Sequence, residues 1–167
     1  SILITGATSG IGFATAKILA ASGWRVFVHG RTRKNAIDAV QRMNATATAQ
    51  PVFGDLASVV QVEGIAQQLD DTSLDVVTHN ACPTSFAGET DDSAIGLTFA
   101  VGHLAAWRLT SLLLPKLVRS KAGRVVFMGS QSHSAVRRRS SQIVPRLAQG
   151  VDQAYAHTKL ANLTMCI

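Results

Sequence analysis

A tyrosine and a lysine four residues apart, Tyr155 and Lys159, are the residues in this sequence whose types and spacing best suit catalysis. On a helix, positions i and i+4 lie on one face, so the lysine ammonium can stand close to the phenolic oxygen. A phenol with its usual pKa of about 10 is a poor acid–base catalyst at neutral pH, but a neighbouring cation favours its ionised form. Such a pair could provide a tyrosine that gives or takes a proton, although a Tyr-x-x-x-Lys spacing on its own is common by chance.

A glycine-rich segment lies between a short apolar run and a helix-length stretch, and reads Thr5-Gly6-Ala7-Thr8-Ser9-Gly10-Ile11-Gly12. Glycines permit backbone angles that other residues avoid, and they let a phosphate approach the chain closely. The first turn of the following helix offers free N–H donors and the positive end of the helix dipole. The segment indicates a pyrophosphate site, with a purely structural turn as the alternative. The residues expected to contribute are Gly6, Thr8, Ser9, Gly10, Ile11 and Gly12.

The elements that must position these residues are visible as short apolar runs at roughly 2–5, 25–29, 51–53, 74–78 and 124–128, separated by helix-length segments. This alternation predicts an α/β protein with a Rossmann-like, doubly wound parallel sheet and helices on both faces. The carboxyl ends of the strands would then line one ligand crevice. No linker-like stretch divides the chain, so residues 1–167 are expected to form a single domain.

The glycine-rich segment resembles the cofactor motif of the short-chain dehydrogenase/reductase family, and further family landmarks follow in order. Asp55 and Leu56 are similar to the pair that contacts adenine in the family. Asn80 and Ala81 resemble its Asn-Ala-Gly turn, although Cys82 stands where glycine is usual. The resemblance implies that these residues bind a nicotinamide dinucleotide.

The second half of the chain resembles the catalytic part of the same family. Tyr155 and Lys159 match its Tyr-x-x-x-Lys motif, and Ser130, after the fifth apolar run, is similar to its catalytic serine. The distance from Ser130 to Tyr155, together with the segment that ends at Asn162, resembles the retinol dehydrogenase and WW-domain oxidoreductase branch. The resemblance implies hydride transfer between the nicotinamide and a small carbonyl or alcohol substrate. Ser130 would bind the substrate oxygen, Tyr155 would move the proton, and Lys159 would also hold the nicotinamide ribose.

Family members continue for several tens of residues past the Tyr–Lys helix, so the last strands of the family fold are expected to be missing from this chain. Family members also often pair the helix spanning 99–117 with its copy in another subunit, which implies a homodimer. Periodicity alone indicates that this helix is buried. The positions expected to face the core are Leu104, Trp107, Leu109 and the run 112–114.

The cofactor preference can be predicted from the end of the second apolar run. Gly30 occupies the position where an acidic residue usually binds the ribose 2′-hydroxyl of NAD. Arg31, helped by Arg33, could instead pair with a 2′-phosphate through its planar guanidinium. NADP(H) is therefore the expected cofactor, with NAD(H) as a second choice, and Arg31 as a surface-turn cap is the structural alternative.

Two departures from the family pattern keep a second functional class open. Gly102 stands where the family usually has an asparagine that supports a water in the proton relay, and Cys82 replaces a glycine. His103 could substitute for the missing amide or could serve helix packing. The chain is therefore read either as an active oxidoreductase or as a catalytically weak dinucleotide-binding module, such as a redox sensor or a scaffold subunit.

Composition narrows the remaining classes. The formal net charge is +6, and the densest basic run is 137–139, but no aromatic interleaving accompanies it, so no nucleic-acid partner is expected. The two cysteines and five histidines lack metal-ligand spacing, so no metal site is expected. No membrane segment or signal peptide is expected, and a cytoplasmic location follows, with an upstream leader or anchor as the alternative. The stretch 134–153 resembles a loop beside the substrate cleft or a passive connector.

Overall fold

The computed structural model describes residues 1–44, 48–69, 73–83, 92–136 and 150–166. The strands are β1 (Ile2–Ile4), β2 (Val26–Gly30), β3 (Ala49–Phe53), β4 (Val76–His79) and β5 (Arg124–Phe127). The helices are α1 (Gly10–Ala21), α2 (Arg33–Met43), α3 (Val59–Gln67), α4 (Asp92–Phe99), α5 (Ala105–Arg119) and α6 (Gly150–Thr164). A π-helical turn, Ala100–Leu104, joins α4 to α5, and a 3₁₀ turn, Gln131–Ala135, follows β5.

The strands form one parallel sheet in the order β3-β2-β1-β4-β5. The chain builds outward from β1 to β3 and then returns to the other side of β1 with β4. This reversal is the point at which doubly wound sheets open a crevice at the carboxyl ends of their strands. The predicted fold class is confirmed, and each of the five predicted apolar runs overlaps an observed strand.

Apolar clusters cover both faces of the sheet, because successive residues of a strand pack alternately into one cluster and the other. Ile2 and Ile4 pack into one cluster and Leu3 packs into the other. The first cluster also contains buried residues of α1 and α2, among them Ala16, Ala20, Ala39, Val40 and Met43. The second contains buried residues of α3 and α5, among them Val62, Ile65, Leu109, Leu113 and Leu117. A strand buried on both faces explains why the sequence runs are continuously apolar.

The long helix after β4 is only partly the core helix that its sequence predicts. Leu109, Leu113 and Leu117 are buried against the sheet, as expected. The expectation is wrong for Leu104 and Trp107, which are 52% and 54% exposed, and for Leu114, which also faces outward. Apolar residues are too frequent in this helix for hydropathy alone to identify the buried side. The outward stripe consists of Leu104, Trp107, Leu114 and Val118.

By length and mean hydropathy, the helical stretch Gly96–Arg119 would suffice to cross a membrane. In this fold the inner face of the helix packs into the core beside β4 and α3. Apolar core helices can have the same length and hydropathy as membrane-spanning helices. The basic run 137–139 and most of the expected loop 134–153 lie outside the described residues.

Two histidines, His29 and His79, are buried in the sheet. His79 contacts the Thr110 hydroxyl at 2.7 Å, and its ring packs 4.9 Å from that of Phe127. Burial lowers the pKa of His79 from 6.5 to about 3, and burial also lowers the pKa of His29. Both imidazoles are therefore neutral in the folded protein at neutral pH.

We expect the free energy of unfolding to fall as pH decreases from 7 to 5. Below its ordinary pKa each histidine takes up a proton more readily in the unfolded chain than in the fold, so acid favours unfolding by up to about 1.4 kcal/mol per pH unit and group. Urea denaturation at pH 7, 6 and 5 measures this slope. His79→Asn, which cannot titrate, should have a shallower slope, and an equal slope in both proteins would contradict the role of His79.

Candidate active site

The glycine-rich turn after β1 is shaped to receive an anion. Gly6 and Gly10 have φ angles of +64° and +54°, which side-chain-bearing residues rarely adopt. Ser9, the residue before α1, has an extended backbone, and its side chain makes no capping hydrogen bond. The first N–H groups of a helix have no intrahelical acceptor. The first turn of α1 therefore presents N–H donors that a phosphate can accept from.

The turn is joined to the end of β4 by a set of buried hydrogen bonds. The backbone N–H groups of Asn80 and Ala81 donate to the Thr5 hydroxyl at 3.0 and 3.1 Å. The side-chain amide of Asn80 donates to the carbonyls of Thr5 and Gly6 at 3.0 and 3.2 Å. Asn80 therefore acts as a brace beneath the turn, which is a structural role in addition to the cofactor role predicted for it.

Close packing explains why two of these positions are glycine. A Cβ atom at Gly6 would lie 3.0 Å from Ala81, and one at Gly12 would lie 2.5 Å from the Asn80 amide nitrogen and 2.6 Å from the Gly6 carbonyl oxygen. Real Cβ atoms do not approach this closely without displacing a neighbour. At Gly6 and Gly12 the chain therefore presents only backbone atoms, which lets a pyrophosphate approach closely.

His29 holds the turn from the side of β2. Its Nδ1 accepts from the Gly6 N–H at 3.1 Å, so the neutral ring carries its proton on Nε2, which donates to the Gly54 carbonyl at 2.9 Å. One imidazole therefore links the glycine-rich turn to the residue that follows β3. The sequence did not single out this role, because a lone histidine in an apolar strand carries no recognisable motif.

The end of β2 has no room for a side chain at Gly30, where a Cβ would lie 2.8 Å from the Thr8 methyl group and 2.9 Å from the Ala36 nitrogen. Arg31 and Arg33 are exposed beside it, and neither forms an ion pair with any residue in the described part of the chain. Arg42, which the sequence did not single out, donates to the Thr8 carbonyl at 2.5 Å and stacks 4.6 Å above the Phe13 ring. Basic groups thus surround this end of the crevice.

The predicted adenine-binding pair follows β3. The Asp55 carboxylate accepts from the Ala57 N–H at 2.9 Å, and its backbone N–H donates to the Gln61 side chain at 2.8 Å. Asp55 is half-buried at the edge of the crevice, whereas the Leu56 side chain is buried in the core. Leu56 can therefore contribute to this edge only through its backbone.

Ser130 lies three residues beyond the last residue of β5, at the start of the 3₁₀ turn. Its hydroxyl accepts from the Ser132 N–H at 3.2 Å and donates to the Ser132 hydroxyl at 3.1 Å. His133 contacts the Ser130 carbonyl through Nδ1 at 2.6 Å. These contacts fix the turn, and α6, which carries the tyrosine and lysine, packs against it.

Tyr155 and Lys159 lie one turn apart on α6, with the Lys159 ammonium 5.3 Å from the centroid of the tyrosine ring. Lys159 is 5% exposed, and its ammonium donates to the Met128 carbonyl, at the end of β5, at 2.8 Å. Burial lowers the pKa of Lys159, and the only opposing charge among the described residues is the thiol of Cys82 in its ionised form. Among the described residues, no carboxylate forms an ion pair with this buried ammonium.

Cys82 and Gly102, the two departures from the family pattern, contact each other. A Cβ atom at Gly102 would lie 2.6 Å from the Cys82 sulfur and 2.7 Å from the Thr158 methyl group. The thiol therefore occupies the space that a side chain at 102 would need. Burial raises the pKa of Cys82, and the Lys159 charge partly offsets this rise, so the two groups share one part of the site.

The His103 side chain does not enter the space that the Cys82 sulfur occupies beside Gly102. The His103 Nδ1 contacts the Asn162 side-chain oxygen at 2.8 Å, and the Asn162 amide donates to the Gly102 carbonyl at 2.9 Å. Asn162 lies on α6, three residues after Lys159, and is 3% exposed. In the sequence, Asn162 stands out only as the end of the segment that resembles the retinol dehydrogenase branch.

All predicted site residues except the Leu56 side chain lie at or near the carboxyl edge of the sheet, on segments that follow β1 to β5 or on α6. The structure joins the glycine-rich turn directly to Asn80 and Ala81, and Lys159 directly to the strand that leads to Ser130. Across the described residues, no group of three or more histidine, cysteine or acidic side chains could hold a metal ion. The arrangement suits an elongated phosphate-containing ligand whose far end reaches Tyr155.

Known proteins are similar to this chain in sequence. A family model described as short chain dehydrogenase matches residues 1–141. The chain is 35% identical to dehydrogenase/reductase SDR family member 13 of Bos taurus, over 96% of this chain and 44% of that protein. It is 32% identical to retinol dehydrogenase 11 of Mus musculus, over 96% of this chain and 52% of that protein. The chain thus spans about half the length of these curated relatives.

Solved structures give the same answer for the fold. A short chain dehydrogenase of Shigella flexneri, determined with NADP, superposes with a TM-score of 0.80 at 26% identity. A short chain dehydrogenase of Escherichia coli, determined with NADPH, superposes with a TM-score of 0.80 at 28% identity. In both cases the match covers 98% of this chain and 67% of the other.

We expect Gly102→Ala to destabilise the protein by about 1–3 kcal/mol, because the new methyl group would overlap the Cys82 sulfur and the Thr158 methyl group. Adding Cys82→Ala should recover part of the loss, since it removes the sulfur. Gly96→Ala, in the neighbouring α4 with open space around it, is the matched control and should be stabilising by up to about 1 kcal/mol. Chemical denaturation of the wild-type protein, Gly102→Ala, Cys82→Ala, the double variant and the Gly96→Ala control measures the coupling. Strictly additive effects of the changes at 82 and 102 would contradict the contact.

Proposed function

Because this chain belongs to the short-chain dehydrogenase family, we propose that it is the cofactor-binding and catalytic part of an NADP(H)-dependent oxidoreductase. In this proposal the substrate is a small carbonyl or alcohol compound, and Tyr155 is the acid–base residue. The observation that carries the proposal is the buried Lys159 ammonium beside the Tyr155 ring, at the same sheet edge as the glycine-rich cradle.

The residues fit a nicotinamide dinucleotide. Its pyrophosphate would accept from the first N–H groups of α1, next to Gly6 and Gly10, where no side chain blocks the approach. Its adenosine end would lie between Asp55 and the basic residues after β2. Ile11, which is 65% exposed at the first turn of α1, supplies an apolar surface for the ligand to cover. When bound, the cofactor supplies or accepts the hydride.

Tyr155 would hold the proton that the substrate oxygen gains or loses. The Lys159 ammonium, 5.3 Å from the centroid of the tyrosine ring, would stabilise negative charge that develops on the phenolic oxygen during the proton transfer. The Ser130 hydroxyl, now bonded to Ser132, can rotate to donate to the substrate oxygen and so orient it. Lys159 has three N–H donors, and the Met128 carbonyl uses one, so two remain for the ribose hydroxyls and the proton path.

The preference for NADP(H) rests on the unpaired guanidinium groups beside Gly30. Arg31 and Arg33 have no acidic partner in the described part of the chain, and Gly30 offers no carboxylate that would repel a 2′-phosphate. Arg42 adds a third positive charge near Thr8. NADP and NADPH are the ligands of the two solved relatives named above. The relatives named for retinol suggest an apolar alcohol or aldehyde as the first substrate class to assay.

The alternative function is a dinucleotide-binding module with little turnover. It is favoured by the packing of Cys82 against Gly102, which fills with sulfur the space where the family usually has an amide side chain. Such a protein would bind NADPH but would not exchange hydride with a substrate.

A homodimer is also part of the proposal. Its interface would be formed by the exposed stripe of Leu104, Trp107, Leu114 and Val118.

The first test of the cofactor assignment is fluorescence titration with NADPH and NADH. The wild-type chain should bind NADPH more tightly, and Arg31→Asp should reverse the preference by weakening NADPH binding at least about tenfold, since a guanidinium–phosphate pair is replaced by like-charge repulsion. NADH binding should change much less. An equal loss for both cofactors would contradict a 2′-phosphate site at Arg31.

A second test separates the enzyme from the binding module. Tyr155→Phe removes the phenolic hydroxyl and keeps the ring that packs beside Lys159. We expect the rate of carbonyl reduction to fall by at least about a hundredfold, because general acid catalysis is lost, while NADPH binding changes little. The measurement is turnover with a panel of aldehydes and ketones together with cofactor titration. Unchanged turnover in Tyr155→Phe would exclude Tyr155 as the acid–base residue, and saturable NADPH binding without wild-type turnover would favour the binding module.

A further inference from the structure

We propose that Asn162 is a positioning residue, which clamps the catalytic helix α6 to the π-helical turn Ala100–Leu104 and thereby sets where Tyr155 and Lys159 stand. The proposal rests on the oxidoreductase function proposed above. It concerns a residue that touches neither cofactor nor substrate and acts through the helix that carries both catalytic side chains.

The clamp consists of two hydrogen bonds to consecutive residues of the turn. The Asn162 amide nitrogen donates to the Gly102 carbonyl at 2.9 Å, and its side-chain oxygen lies 2.8 Å from His103 Nδ1. Asn162 is 3% exposed and its bond to Gly102 is buried, so water does not replace that bond. Because both atoms of this short side chain's amide group are hydrogen-bonded, α6 can neither slide along the turn nor rotate against it.

The chemistry of the groups determines which atom faces which. A backbone carbonyl only accepts, so the nitrogen of the Asn162 amide must face Gly102. Its oxygen therefore faces His103, and His103 must carry a proton on Nδ1 to donate to it. The arrangement is self-consistent, and the Phe99 ring, with its centroid 5.0 Å from that of His103, packs beside the imidazole.

The π-helical turn explains why a side chain is needed at this place. A π-helical turn interrupts the regular i to i+4 bonding of an α-helix, and such turns occur often at functional sites. The Gly102 carbonyl is buried and takes its donor from another helix. The absence of a side chain at Gly102, with the Cys82 sulfur in its place, allows α6 to approach closely enough for this bond.

Asn162 shares its helix face with the catalytic pair. Tyr155, Lys159 and Asn162 stand at positions i, i+4 and i+7, which lie along one side of a helix. At Lys159 the same face is tied to the Met128 carbonyl at 2.8 Å. The helix is thus fixed at two points, to the end of β5 and to the π-helical turn, and removal of the second point would let the tyrosine and the ammonium shift relative to the strand ends.

The experiment compares Asn162→Leu, which has a similar volume and removes both bonds, with His103→Leu, which removes only one. We expect kcat to fall by about tenfold to a hundredfold in Asn162→Leu, because displacements of about 1 Å cost this much, and to fall less in His103→Leu. KM should change far less than kcat.

The matched control is Thr158→Val, which removes a buried hydrogen bond of the same helix, from the Thr158 hydroxyl to the Ala154 carbonyl, and leaves both bonds of Asn162 intact. It should lower stability without lowering kcat. A kcat that falls equally in Thr158→Val and Asn162→Leu, or in neither, would overturn the positioning role.

A second readout does not depend on activity. Hydrogen exchange of the α6 amides in the NADPH complex should become faster in His103→Leu and Asn162→Leu than in the wild-type protein and in Thr158→Val. Faster exchange without wild-type turnover would support the clamp and contradict the proposed oxidoreductase function. Unchanged exchange in both clamp variants would overturn the clamp, whatever the turnover.

Discussion

The pairing of β1 with β4 is the contact on which both halves of the candidate site depend. β1 ends in the glycine-rich turn and β4 ends in Asn80, and parallel pairing brings these two ends to the same edge. Asn80 then donates two hydrogen bonds to Thr5, from its backbone N–H and from its side-chain amide. Without this pairing the glycine-rich turn would be held only from the side of β2, through His29.

The sequence predicts the parts of the molecule that local patterns encode. Continuous apolar runs identify β1, β2 and β4 because these strands are buried on both faces, and spacing alone places Tyr155 and Lys159 on one helix face. The glycine-rich turn is predictable for the same reason, since backbone angles such as those of Gly6 and Gly10 require glycine. These features depend on residues that are close together in the sequence.

The remaining features depend on contacts between distant segments, and no local pattern indicates them. Cys82 and Gly102 look like two unrelated departures in the sequence, and only the fold shows that one fills the space the other leaves. His29 has a defined tautomer because Gly6 and Gly54 lie on either side of it. The outward orientation of Trp107 is likewise set by which side of α5 meets the sheet, and hydropathy does not distinguish the two sides.

The link between Thr5 and Asn80 also bears on the order in which the molecule folds. The two residues are 75 positions apart, whereas β1 and β2 are adjacent in the sequence and can pair through a short crossover. Closing the longer loop costs more chain entropy and, in general, slows folding. The pyrophosphate cradle is therefore completed only when β4 docks, so nucleotide binding during refolding would report the arrival of the fourth strand rather than the collapse of the first three.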